Sequence, residues 1–166
     1  MVRKKICLLG TSAVGKTSLV NRFVNNAFSE KYLTTVGVRI SKKTIQIDSN
    51  RVEMLIWDLN GEDRFQKLST SYLRGASGIF MVADGSRADT LESAKLIYRR
   101  VSGDVGKLAV CLLLNKADLQ EDWEISDDDL ANLKSEGWKI FLTSAKTGTG
   151  VEEAFETLAS MLVPNE

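Results

Sequence analysis

Gly10-Thr-Ser-Ala-Val-Gly15-Lys16-Thr17 carries two glycines, a lysine and a hydroxyl residue at the spacing G-x-x-x-x-G-K-[ST]. Glycines at those positions let the chain curl until backbone N–H groups of Ser12, Ala13, Val14, Gly15, Lys16, Thr17 and Ser18 surround phosphate oxygens. A helix opening near Lys16 would aim its positive end at the same place. The Lys16 ammonium suits the β- and γ-phosphates, and the Thr17 hydroxyl suits Mg²⁺. A glycine-rich turn with an accidental lysine is the bland alternative. It does not explain why the apolar run Ile6–Leu9 precedes the motif and helical spacing of Leu19, Val20 and Phe23 follows it. The motif alone does not separate ATP from GTP.

A second constellation, Asn115-Lys116-Ala117-Asp118, closes the apolar run Leu108–Leu114. Guanine presents N1–H and N2–H₂ as donors along one edge, and one carboxylate, Asp118, can accept from both. Adenine has an acceptor where guanine has N1–H, so the same carboxylate repels it. Asn115 can bond the base and tie this loop to the phosphate loop, while the Lys116 stem can lie along the base plane. Thr143-Ser144-Ala145-Lys146 closes the last apolar run in the same manner, and N–H groups of Ser144, Ala145 and Lys146 can reach guanine O6. Taken alone, Asn115–Asp118 fits an ordinary polar turn after a strand equally well, and Thr143–Lys146 is a weak signal; after a phosphate loop they read as a guanine-nucleotide site.

Short apolar runs alternate with helical patterns around these loops. Ile6–Leu9, Ile79–Ala83, Leu108–Leu114 and Trp138–Leu142 read as strands, with Trp138 in the strand core. Val36, Val38, Ile40, Ile45 and Ile47 alternate as one half-buried strand. Asp48-Ser49-Asn50 is a turn into Val52–Trp57, so those two strands form an antiparallel hairpin. Lys16–Asn26, Leu91–Val101, Asp127–Leu133 with Ser126 as N-cap, and Val151–Leu162 read as helices. Trp123 and Asp127-Asp-Asp129 read as a solvated loop leading into a helix start. This order predicts an α/β fold: a mostly parallel sheet with helices on both faces and ligands beyond the carboxyl ends of the strands.

Composition excludes several classes. The chain has 166 residues, enough for one domain spanning 1–166. It contains 22 basic and 22 acidic residues, which argues against a nucleic-acid partner. Histidine is absent, removing His-based catalysis and Cys/His zinc sites. The two cysteines, Cys7 and Cys111, sit inside apolar runs and read as core residues in a reducing, cytoplasmic setting. No apolar stretch approaches the roughly 20 residues of a membrane span.

The three motifs, in this order and spacing, resemble the small GTPases of the Ras superfamily over nearly the whole chain. Trp57-Asp-Leu-Asn-Gly-Glu-Asp-Arg-Phe65 and Tyr72-Leu-Arg-Gly-Ala-Ser-Gly78 look most like its Rab branch. The resemblance implies a P-loop NTPase fold, Ras-like, with a six-stranded sheet, one antiparallel edge strand and five helices. It implies a monomer that alternates between GTP and GDP with Mg²⁺. Carried over by motif, Phe28 would stack edge-on against guanine and Tyr32 would lie in the first switch. Thr35 would complete the Mg²⁺ shell only in the presence of a γ-phosphate. Asp58 would hold a Mg²⁺-bound water, and the Gly61 N–H would bond the γ-phosphate. Effectors would dock through residues 29–40 and 58–74, with an exchange factor and a GTPase-activating protein as further partners.

The second switch departs from the family's usual Asp-Thr-Ala-Gly-Gln and reads Asp58-Leu-Asn-Gly-Glu62. Glu62 stands where a glutamine usually orients the attacking water, and Leu59 and Asn60 replace two small residues. Two readings follow: a switch that hydrolyses GTP slowly, with Lys16, Thr35, Gly61 and Glu62 as catalytic residues, or a guanine-nucleotide-binding scaffold with little hydrolysis. The last residues carry no cysteine, so no lipid anchor is expected within this stretch.

Overall fold

The computed structural model describes residues 1–31, 37–59, 71–103 and 108–164. Six strands form one sheet: β1 (Val2–Leu9), β2 (Val38–Ile47), β3 (Asn50–Leu59), β4 (Gly78–Asp84), β5 (Ala109–Asn115) and β6 (Ile140–Leu142). Their spatial order is β2-β3-β1-β4-β5-β6. Only the β2–β3 pair is antiparallel, because a short turn joins the two; Asp48 sits in it with a left-handed φ of 51°. The other pairings are parallel.

Among the described residues there are four α-helices, α1 (Lys16–Asn25), α2 (Ala88–Ser102), α3 (Asp127–Ser135) and α4 (Val151–Leu162), and a short 3₁₀ turn at Gln120–Asp122. α3 starts at Ser126 with a reciprocal capping box: Ser126 Oγ accepts from Asp129 N and the Asp129 carboxylate accepts from Ser126 N. That pairing satisfies two N–H groups at the helix start.

Period-2 alternation divides the core between two faces. Ile6 and Leu8 of β1 pack with Leu19, Val20 and Phe23 of α1 and Phe155 and Leu158 of α4. Cys7 and Leu9 face the other way, toward Leu91, Ala94 and Ile97 of α2 and Leu133 of α3. Both cysteines are buried free thiols, and burial pushes Cys7 up to about 12 and Cys111 to about 11. Every residue of β4 is buried, as a central parallel strand covered on both faces requires.

Three local expectations are corrected. Ile40 is 52% exposed and not half-buried. It pairs with Trp57, and β2 runs without a bulge, so Ile40 and Ile45 point to opposite faces. Trp138 precedes β6; it is half-buried, with its ring set edge-on to Tyr98 at 4.9 Å. Trp123 lies in an exposed loop but is itself half-buried: it packs against the core beside Gly85, where any β-carbon would collide with the indole.

Candidate functional site

The carboxyl ends of β1, β4, β5 and β6 all lie at one edge of the sheet, so the loops beginning at Gly10, Gly85, Lys116 and Thr143 converge there. Each loop is tied to the next by named bonds. Gly15 caps α1 with a φ of 98°, and a β-carbon there would strike the Asn115 amide. That close approach lets Asn115 Nδ2 donate to the Val14 carbonyl at 3.0 Å. Asn115 Oδ1 accepts from Thr143 Oγ1 at 3.1 Å, so this one buried amide joins three loops.

Lys16 is 6% exposed, and its ammonium donates to the carbonyls of Gly10 and Thr11 at 2.9 and 2.8 Å. Burial pulls its pKa down to about 8, against the opposing pull of the nearby Asp58 charge. Thr17 Oγ1 lies 2.5 Å from Oδ2 of the fully buried Asp58. A hydroxyl and a carboxylate in contact at the foot of a phosphate-loop pattern are the hard oxygen donors that suit Mg²⁺.

Beside this stands a cavity of about 240 Å³ lined by Gly15, Ser18, Phe28, Asn115, Asp118 and Lys146, among others. The structure thus brings Phe28 to the same hollow as Asp118. Asp118 Oδ1 accepts from Ser144 Oγ at 2.7 Å, which aims the carboxylate and braces the Ser144–Lys146 loop. Arg22, on α1, clamps that loop from the other side through the carbonyls of Ala145 at 2.8 Å and Lys146 at 2.6 Å. Tyr32, Thr35, Gly61 and Glu62 lie outside the described residues, as does Asn60. Leu59 is described: its side chain is 3% exposed and packed in the α2-side core with Leu9, Leu73 and Met81.

Sequence reasoning missed Asp84, Arg87 and Arg22, and it missed the bond from the Thr143 hydroxyl to Asn115. Asp84 closes β4 with its side chain fully buried. Its Oδ2 takes Lys116 Nζ at 2.9 Å and Arg87 Nε at 3.0 Å, and its Oδ1 takes the Ser86 N–H and hydroxyl. Burial opposes its ionisation, but these hydrogen bonds outweigh that and hold the carboxyl below its ordinary value. A carboxylate ending the wholly apolar run Ile79–Ala83 was the available signal. Arg22 had none beyond its place on a helix.

The Ras family model matches residues 5–163. The chain is 37% identical to the Ras-related protein Rab-8B of Pongo abelii over 160 residues, 93% of this chain and 76% of that one. It is 35% identical to Rab-13 of Canis lupus familiaris, covering 93% and 77% of the two chains. It is 37% identical to Rab-1 of Theileria parva, covering 95% and 73%. Members of this family bind GTP and GDP with Mg²⁺, hydrolyse GTP and work through effectors, exchange factors and activating proteins. A family match over nearly the whole chain, on a six-stranded sheet with one antiparallel edge strand, leads to one conclusion: the chain belongs to the Ras family of small GTP-binding switch proteins, close to its Rab branch.

Proposed function

We propose that this chain holds guanine nucleotide across the convergent loops and hydrolyses GTP slowly to control effector binding. The observation that carries the reading is the Asn115 junction. It fixes the loop bearing Asp118 against the phosphate loop, so base and phosphates are addressed by one rigid unit. Asp118 accepts from guanine N1 and N2. Phe28 flanks the base, and the N–H groups of Ser144, Ala145 and Lys146 face O6. N–H groups from Ser12 to Ser18 take the phosphates. A lysine has three N–H donors; the Gly10 and Thr11 carbonyls use two of Lys16's, leaving one for a phosphate oxygen.

Thr17 and Asp58 would hold Mg²⁺, Asp58 through a water, with Thr35 joining them in the GTP state. When bound, the ion would neutralise phosphate charge. The Gly61 N–H bonds the γ-phosphate in that state, and loss of the γ-phosphate releases both switch segments. Effectors dock on residues 29–40 and 58–74. The support is apolar: Ile40 stands exposed across the ladder from Trp57, whose ring centroid lies 6.1 Å from that of Tyr72.

Glu62 decides the rate. An ionised glutamate keeps the acceptor that positions water and loses the glutamine's donor. At roughly 5 Å and an effective dielectric near 20, its repulsion with the phosphoryl group is about 3 kcal/mol, or about two decades of rate. A positioned base supplies about two to four decades in return. The two effects are comparable, so the substitution does not abolish hydrolysis; the reading is of a slow intrinsic rate with Glu62 polarising the water. The scaffold reading draws on Glu62 and Asn60; Leu59 contributes nothing to it, since its side chain is a core residue. Single-turnover GTP hydrolysis of wild type, Glu62→Gln and Glu62→Ala at saturating Mg²⁺ tests this. Glu62→Ala should be slower than wild type. Equal rates would remove Glu62 from catalysis, and equal, negligible rates would put the scaffold reading first.

A further inference from the structure

Two non-glycine residues in the converging loops hold left-handed backbone: Ala13 with φ 65° and Lys116 with φ 67°. Such conformations cost of order 1 kcal/mol or more and persist only where the surroundings over-determine them. Both are gripped from the same place. Lys116 Nζ and Arg87 Nε meet on one oxygen of Asp84, at 2.9 and 3.0 Å. The far end of the Arg87 guanidinium, Nη2, then donates to the Ala13 carbonyl at 3.1 Å and faces the Ser12 carbonyl at 3.4 Å. The base-reading loop and the phosphate loop are thus joined through a third loop, which none of the motifs includes. That third loop is itself rigid. The Arg87 N–H donates to the Asp84 carbonyl at 3.0 Å, and Thr90 Oγ1 accepts from the Asp84 N–H at 2.8 Å.

We propose that Arg87 is a positioning residue that sets nucleotide residence time: clasped to Asp84, it holds the Ser12–Ala13 turn and Lys116 in their strained, binding-ready shapes. The proposal rests on the reading that guanine nucleotide sits on these loops. Arginine fits the task for a geometric reason. Its planar fork presents Nε to a carboxylate and Nη2 to carbonyls on another element at once, which one lysine ammonium cannot reproduce. The guanidinium lies on the carbonyl side of the turn, so it acts through the loop and not on the phosphates. With the side chain 42% exposed, the clasp can be removed without opening the core.

The test is the release rate of a fluorescent GDP analogue, chased with excess unlabelled GDP, for wild type, Arg87→Ala and Arg87→Lys. Hydrogen exchange of the GDP-bound proteins is followed in parallel. Arg87→Ala should release GDP about tenfold faster, the scale of one lost charge-assisted hydrogen bond, and Arg87→Lys should fall between. Exchange should rise together in residues 11–15 and 115–118 and not in β1 or α4. Release within twofold of wild type would overturn the proposal, as would a lowered melting temperature with unchanged release and unchanged local exchange. A wild-type chain that fails to retain GDP would instead sink the nucleotide-site reading, and the clasp with it.

Discussion

Asn115 Nδ2 donates to the carbonyl of Val14 at 3.0 Å across 101 positions of chain, and the glycine next to Val14 is what allows the approach. The bond is buried at both ends. Removing it leaves the Val14 carbonyl and the Thr143 hydroxyl without the partner each has now, at about 1–3 kcal/mol for a group so stranded. Asn115→Ala should therefore weaken GDP binding by one to two decades, which isothermal calorimetry would measure. Undiminished affinity would mean that the junction does not organise the site.

Asp118 offers a sharper test, because the change can be compensated in the ligand. Asp118→Asn replaces an acceptor with a donor at the Watson–Crick edge. The new amide repels guanine N2–H₂ and can donate to the C2 carbonyl of xanthine. GDP affinity should drop while XDP affinity rises, moving their ratio by at least about two decades, since a site built for one pattern leaves polar groups unpaired with the other. Competition between the two nucleotides reads this directly. Unchanged preference for GDP would remove Asp118 from base recognition.

These loops were legible because phosphate and guanine chemistry demands particular residue types at short, contiguous spacings. The clasp through Arg87 was not, because it meets backbone carbonyls of Ser12 and Ala13, 75 and 74 positions away, and a carbonyl leaves no residue-type signal; Asp84, ending an apolar run, was the one hint. Hydrophobic alternation failed at Ile40 for a simpler reason. Ile40 and Ile45 are an odd five residues apart, so on an unbroken strand they take opposite faces, and Ile40 is left 52% exposed. Trp123 looked solvated amid Glu121, Asp122 and Glu124, yet the missing side chain at Gly85 is what makes room for its ring. A complementary gap on a distant loop leaves no local signature.

The core makes its own prediction. The Phe155 ring stacks on Phe23 at 4.0 Å and meets Phe80 at 4.7 Å, fully buried between α1, α4 and the sheet. Phe155→Ala should destabilise the fold by about 3–5 kcal/mol, through lost transfer energy and the cavity left behind. Chemical denaturation in saturating GDP would measure it. Because α1 also carries Lys16, Thr17 and Arg22, the same variant should release GDP faster than wild type.

Lys16 ties nucleotide affinity to pH. Burial lowers its pKa from 10.5 to about 8. In the nucleotide-free chain the folded state thus binds fewer protons than the unfolded state between about 8 and 10.5. Its contribution to stability is present above 10.5 and lost as pH falls through 8, so the nucleotide-free chain should gain stability as pH rises across that window. Nucleotide acts in the opposite sense. A bound phosphate favours the ammonium and raises its pKa, so binding takes up a proton once Lys16 has lost its own. GDP affinity should be nearly flat below pH 7.5 and should be about tenfold weaker at pH 9 than at pH 7, a slope approaching one decade per unit. Guanine's own N1 proton also titrates on the alkaline side, and Lys16→Arg separates the two. Its guanidinium stays charged throughout, so the variant keeps the guanine contribution and loses the lysine one. Wild type and Lys16→Arg should diverge between pH 7 and 9. Parallel profiles would show that the buried amine is charged throughout this range, and the link between its burial and affinity would be wrong.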